Sequence, residues 1–245
     1  MASHSEELIE SGFYIKAVLI CFAVWLILFE LVGRYACGLE YIDVTTSFDE
    51  AIPLVPQFVW IYQVCYVLPL LIIFLIKDLH RVNLSIMSFF MVSMFSFIIY
   101  ILYPVGFERP ELGHSISDKL LALQYSIDFQ PSANKLPSLH CALSVILILA
   151  SRNSCYSKAL EWLVAVLCTG IIVSTVFVKQ HIIFDVITGV IAGIIVWILL
   201  KKYYDKKELN KMAPDSALIK LLRSLIPVFV LLLSGLIISF LISIK

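Results

Sequence analysis

The chain has 245 residues, of which 61% are hydrophobic and 15% are charged, and its formal net charge is zero. A soluble globular domain carries about 45–50% apolar and about 25% charged residues, so this composition, with a mean hydropathy of +0.97, excludes an ordinary soluble domain. A balanced net charge also gives no indication of a nucleic-acid partner.

Seven apolar segments follow one another along the chain, and most are long enough to cross a bilayer, which takes about 20 helical residues. Because backbone polar groups in hydrocarbon must be satisfied internally, we expect helices. The predicted fold class is therefore an all-α polytopic transmembrane helix bundle. The predicted segments are 13–33, 56–76, 84–103, 137–150, 159–178, 181–200 and 226–244.

The predicted organisation has four parts. Residues 1–12 form an acidic amino-terminal segment, and residues 13–200 form a membrane domain of six spans. Residues 201–225 form a basic loop, and residues 226–245 form a last span.

Seven spans place alternate loops on opposite sides of the membrane. Of the lysines and arginines outside the spans, eleven lie on one side and six on the other. The positive-inside rule then puts the amino terminus and the short turns in the cytosol, and the long loops on the extracytoplasmic or luminal face. The oligomeric state is not readable from the sequence.

Ionisable groups beside membrane spans usually mark function. His181 and Asp185 stand at i and i+4, so they share one face of a helix and the carboxylate can orient the imidazole. This arrangement favours a catalytic histidine with an orienting acid, as in catalytic triads. The alternative is a His–Asp hydrogen bond that tethers a helix end.

His140 lies at the start of another predicted span on the same side of the membrane. It follows Ser138 near a helix amino terminus, where a hydroxyl and free N–H groups can bind an anion. A histidine in this position can donate a proton as a general acid. The alternative is a structural histidine bonded to a carbonyl.

Three cations lie within a few residues of these helix ends: Arg109, Lys135 and Lys179. Arginine suits bidentate contact with phosphate and lysine supplies a point charge, so we predict that all three bind phosphate, together with Ser138. Each could instead be an interfacial side chain. The six cysteines form no CxxC pair and no Cys/His cluster at metal-ligand spacing, so no metal site and no cofactor are predicted.

These residues resemble the type-2 phosphatidic acid phosphatase superfamily, which includes lipid phosphate phosphatases and inositol phosphorylceramide synthases. The second family motif reads Pro-Ser-Leu-His at 137–140, and the third runs from Ser174 through His181 to Asp185. Arg109-Pro110 matches the end of the first. The resemblance implies a six-helix phosphatase-like core, with the seventh carboxyl-terminal span as an addition.

The resemblance also implies a metal-independent mechanism with a phosphohistidine intermediate. His181 would attack phosphorus, Asp185 would orient it and His140 would protonate the leaving oxygen, on a lipid phosphate drawn from the membrane. The sequence departs from the family in Leu102, where a lysine is expected, in Thr175, where an arginine is usual, and in Leu139, where glycine is usual.

Three functions remain open. The first is a lipid phosphate phosphatase that hydrolyses phosphomonoester or diphosphate head groups at the outer or luminal face. The second is a phosphotransferase that moves a phosphorylated head group to another acceptor, as in the inositol phosphorylceramide synthases. Leu139 and the altered cations favour this second function without deciding between the two. The third is a transporter or scaffold with a decayed site.

Overall fold

The computed structural model describes residues 4–129 and 132–243. The outermost parts of the predicted segments 1–12 and 226–245 therefore lie outside the described residues. The described helices are α1 (His4–Ala36), α2 (Ser47–Ala51), α3 (Val59–Tyr62), α4 (Val64–Val67), α5 (Ile72–Leu75), α6 (Leu79–Leu102), α7 (Ile116–Ile127), α8 (Leu139–Ser151), α9 (Lys158–Phe177), α10 (Ile183–Lys206) and α11 (Pro214–Ser243).

Five of these helices, α1, α6, α9, α10 and α11, are long and apolar enough to cross a membrane. Within the described part of the chain, extended backbone pairs only at isolated bridges between loops. The prediction of an all-α polytopic bundle is thus confirmed. The fourth predicted segment corresponds to α8, a shorter apolar helix.

The second predicted segment is not one continuous helix. A 3₁₀ turn at Pro56–Phe58 leads into α3, α4 and α5, which are joined by turns. Pro69 has no N–H to donate to the carbonyl four residues earlier, so the regular hydrogen-bond ladder is interrupted there. The prediction of a single helix over 56–76 is wrong, and Pro69 explains the break between α4 and α5.

The predicted basic loop 201–225 is mostly helical. Helix α10 continues to Lys206 and α11 already begins at Pro214, which leaves only 207–213 as a connection. Lysine and aspartate pair at i and i+4 in this extension, where Lys201 Nζ lies 2.7 Å from Asp205 Oδ2. Such pairs support a helix that has already left the apolar region.

Helix α8 forms the centre of the bundle and packs against α6, α9 and α10. Two glycines of α10 allow close approach: a Cβ at Gly189 would lie 2.3 Å from the carbonyl oxygen of Ser138, and one at Gly193 would lie 2.7 Å from that of Ala142. Helix α11 packs mainly against α6. The carboxyl end of α6 and the amino ends of α8 and α10 therefore meet at one end of the bundle.

Candidate active site

His181 and Asp185 form a buried pair at the start of α10. The His181 Nδ1 to Asp185 Oδ2 distance is 3.2 Å, and the side chains are 5% and 0% exposed. The same carboxylate oxygen accepts from the backbone N–H of Ile182, which caps the helix. The backbone N–H of His181 donates to the carbonyl of Thr175 at the end of α9. The histidine is thus held from both sides.

His140, in the first turn of α8, extends this pair into a chain of four side chains. Its Nδ1 lies 3.2 Å from His181 Nε2, and its Nε2 lies 2.9 Å from the Tyr62 hydroxyl. Because a carboxylate can only accept, Nδ1 of His181 carries the ring proton and donates the hydrogen bond to Asp185, which leaves a lone pair on Nε2. His140 then donates from Nδ1, and its Nε2 accepts a hydrogen bond from the Tyr62 hydroxyl. The directions of all the hydrogen bonds agree.

Two of the three predicted cations lie together beside this chain. Arg109 and Lys135 both contact Asp128 Oδ2, the latter at 3.1 Å. Both also donate to Gln180 Oε1, at 3.1 and 3.3 Å. Lys135 reaches this cluster because its backbone N–H donates to the carbonyl of Val105, which ties its loop to the end of α6.

Asp128 remains ionised in this cluster. Burial by itself raises the pKa of its carboxyl, but the charges of Lys135 and Arg109, with their hydrogen bonds, hold the pKa well below its usual range. Burial also lowers the pKa of the Lys135 ammonium, although Asp128 opposes the shift.

Three buried polar atoms in the cluster have no hydrogen-bond partner among the described residues. They are Arg109 Nε and Gln180 Nε2, which are donors, and Asp185 Oδ1, which is an acceptor. An unpaired buried donor is costly, so such atoms are uncommon unless a ligand completes them. Two unpaired donors in the cluster beside His181 suit an oxyanion.

The remaining predicted phosphate ligands have other contacts. Ser138 is fully buried, and its hydroxyl caps α8 by accepting from the N–H of Cys141. Lys179 adopts φ of 50°. Its ammonium donates to the carbonyls of Asp49 and Ile52, at 2.7 and 2.6 Å, rather than to a side chain of the cluster. Lys179 therefore lies outside the cluster around Asp128, and its contact with phosphate stays a prediction.

Three residues of the site were missed from the sequence: Tyr62, Asp128 and Gln180. Tyr62 lies in an apolar segment where nothing indicates which way its hydroxyl points. Asp128 is one of several acids in the longest polar loop. Gln180 did offer a signal, because it immediately precedes His181. Among the described residues, no group of three or more His, Cys, Asp or Glu side chains could hold a metal ion.

A cavity of about 280 Å³ reaches His140. Its polar end includes Asp128 and His140, and aromatic rings from α1 and α6, among them Trp25, Phe29 and Phe89, line much of the rest. Trp25 and Phe29 stack with ring centroids 5.1 Å apart. The cavity thus joins a polar, charged end to an apolar interior.

The fold and the site together define a polytopic membrane protein with a buried His–His–Asp centre beside two cations. Residues 103–209, which contain these three side chains and both cations, match the family model of the PAP2 superfamily. The resemblance predicted from the motifs is confirmed over this stretch, and it supports an enzyme of the phosphatase or phosphotransferase type. No curated protein and no solved structure matches the chain.

Proposed function

We propose that the protein cleaves a phosphate ester of a membrane lipid through a phosphohistidine formed on His181. The observation that carries the proposal is the hydrogen-bonded chain from Tyr62 through His140 and His181 to Asp185. It provides a nucleophilic lone pair on His181 Nε2 and, facing it, His140 Nδ1, which carries the proton for the leaving oxygen when the ring is protonated.

In the first step, His140 acts in its protonated, imidazolium form. His181 Nε2 bonds to phosphorus as the bond to the leaving oxygen breaks, and the His140 Nδ1 proton passes to that oxygen, which leaves His140 neutral. The two imidazole rings must part to admit the phosphoryl group, because their nitrogens lie 3.2 Å apart without it. In the second step, water or an alcohol gives its proton to His140 Nδ1 and attacks phosphorus, which frees His181. No bond in either step requires a metal ion.

Arg109, Lys135 and Gln180 supply the electrostatic part of catalysis. A transferring phosphoryl group spreads negative charge over its equatorial oxygens, and donors already in place stabilise that charge. The unpaired Arg109 Nε and Gln180 Nε2 are suited to two of these oxygens. Asp185 orients His181 and stabilises its positive charge after attack.

The aromatic cavity supports a lipid as the substrate. A ligand could place its phosphate at His140 and its chain among the rings of α1 and α6. It would then gain about 25 cal/mol of binding free energy for each Å² of apolar surface that is buried. The second candidate, a head-group phosphotransferase, is favoured by Asp128, since a carboxylate among the cations disfavours a doubly charged phosphomonoester.

The deciding experiment is product analysis of the purified enzyme with labelled phosphatidic acid, polyprenyl diphosphate and phospholipid, each with and without alcohol acceptors. Release of inorganic phosphate by the wild type, but not by His181→Ala, indicates a phosphatase. A new phosphorylated lipid that requires an acceptor indicates a transferase. Rapid quenching should trap an acid-labile phosphoprotein in wild type only. Turnover by His181→Ala at the wild-type rate would refute the mechanism.

A further inference from the structure

The carboxylate of Asp128 occupies hydrogen-bond donors that a bound phosphate would use. Its Oδ2 pairs with Arg109 and lies 3.1 Å from Lys135 Nζ. The proposed function assigns these two cations to the phosphate. In the ligand-free protein they are therefore already shared with an internal anion.

Asp128 is held in this position by its neighbours. Its side chain is only 14% exposed, and its backbone N–H donates to the carbonyl of Gln124 at the end of α7. The next residue, Phe129, packs its ring where a Cβ on Gly33 of α1 would stand, 2.0 Å away. The other carboxylate oxygen, Oδ1, accepts from the backbone N–H of Phe129 at 3.0 Å, so both oxygens of Asp128 are engaged.

The charge of the cluster is therefore fixed by three groups. Arg109 and Lys135 contribute two positive charges and Asp128 one negative charge, which leaves a net charge of one on these three groups. Asp185, paired with His181, adds a further negative charge that is the same in every variant compared below. A phosphomonoester carries about 1.5 to 2 negative charges near neutral pH. A phosphodiester carries one. In a partly buried site an unbalanced charge is expensive, so the second negative charge of the monoester binds at a higher cost and the diester is favoured.

We infer that Asp128 is a specificity-determining residue that favours lipid phosphodiesters over lipid phosphomonoesters. The inference rests on the proposed function and names the substrate class of the same site. It predicts that the preference follows the net charge of the cluster, whichever residue sets that charge.

The test compares two lipids that differ by one methyl group and one charge: phosphatidic acid and its methyl phosphodiester, both with brominated chains. Binding is measured in the His181→Ala background, so no turnover is needed. Bromine quenches tryptophan fluorescence at short range, and Trp25 lines the cavity. The titrations are done in neutral micelles at about pH 8, where a phosphomonoester is close to doubly charged.

Four proteins form a charge series. Lys135→Gln lowers the net charge to zero, the parent and the Asp128→Asn/Lys135→Gln double variant both carry one, and Asp128→Asn carries two. We expect the ratio of monoester to diester affinity to rise by about tenfold with each added charge, and to be similar in the two proteins of equal charge. The comparison of Lys135→Gln with the double variant stands even where Asp128→Asn alone does not fold.

Glu111→Gln is the matched control, since it removes an exposed carboxylate from the loop that carries Arg109 and should leave the ratio unchanged. If the ratio of monoester to diester affinity does not change with the charge of the cluster, the inference is overturned. The absence of binding by both lipids overturns it as well. Proteins with His181 intact are assayed in parallel for diacylglycerol release. Release from neither lipid would count against the proposed function, whereas the binding series judges Asp128 by itself.

Discussion

At the scale of single residues, the site is a line of hydrogen bonds in which each member fixes the state of the next. Asp185 sets the tautomer of His181, and Tyr62 sets that of His140. The two middle members therefore face each other with one lone pair and one proton. This division of roles leads to different expectations for the substitution of each member.

His140→Ala should slow lipid substrates by roughly a hundredfold or more, because the leaving alkoxide then departs without a proton. A phosphate ester with a good leaving group, such as nitrophenyl phosphate, should lose much less. The check is a comparison of kcat/KM for the two substrate types in wild type and variant. Equal losses on both would show that His140 does not act on the leaving group.

Tyr62→Phe should lower kcat by roughly tenfold with little change in KM, because it removes the hydroxyl that holds His140 Nε2 and so lets the ring turn Nδ1 away from the leaving oxygen. Steady-state kinetics measure the split. Tyr103→Phe removes an exposed hydroxyl at the end of α6 and should behave as wild type. A pure KM effect for Tyr62→Phe would assign the hydroxyl to substrate binding instead.

At the scale of elements, the loop between α1 and α3 supports the start of α10. Asp49 Oδ1 accepts from the backbone N–H of Ile183 at 2.7 Å, and the Lys179 ammonium binds the Asp49 carbonyl. Asp49 also completes a capping box with Thr46. Two connections that are far apart in sequence are thus fastened together next to His181.

Asp49→Ala should reduce stability by about 1 kcal/mol, as expected for a lost helix cap, and should lower kcat because the segment that carries His181 loses a support. Thermal unfolding in detergent and steady-state rates measure the two effects. Glu50→Gln alters the exposed neighbouring carboxylate and should change neither the stability nor kcat. Unchanged stability in Asp49→Ala would argue that the Lys179 contacts alone hold the loop.

The contact between α8 and α10 leaves no room for a side chain at Gly189. A methyl group there would meet the Ser138 carbonyl, which belongs to the turn that presents His140. Gly189→Ala should therefore destabilise the protein by about 1–3 kcal/mol and displace the two histidines from each other. Gly12→Ala is the control, because a Cβ at Gly12 meets nothing within 4 Å. Normal melting and full activity of Gly189→Ala would contradict the packing described.

At the scale of the whole molecule, the sequence predicts what depends on long patterns and misses what depends on direction. Apolar length located α6 and α9 to within a few residues, and the alternation of spans predicted that His140 and His181 would meet. It could not reveal that Pro69 interrupts the second segment, or that Lys179 turns away from the cluster. Nor does any pattern indicate that Asp128, among several acids, is the one that reaches the cations.

The orientation in the membrane also belongs to the whole molecule, and we predict it from the distribution of the basic residues. The extension of α10 and the turn before α11 carry many of the lysines, at the end of the bundle away from the histidines. The positive-inside rule predicts that this end lies in the cytosol and that the site lies on the opposite face.

In a background without the six native cysteines, Glu111→Cys should therefore react with a membrane-impermeant maleimide on intact cells or sealed vesicles, whereas Lys207→Cys should react only after permeabilisation. Both positions are exposed, so a difference in labelling reports the side of the membrane and not burial. The reverse pattern would place the histidines on the cytosolic face, and the substrate would then be a lipid of the inner leaflet.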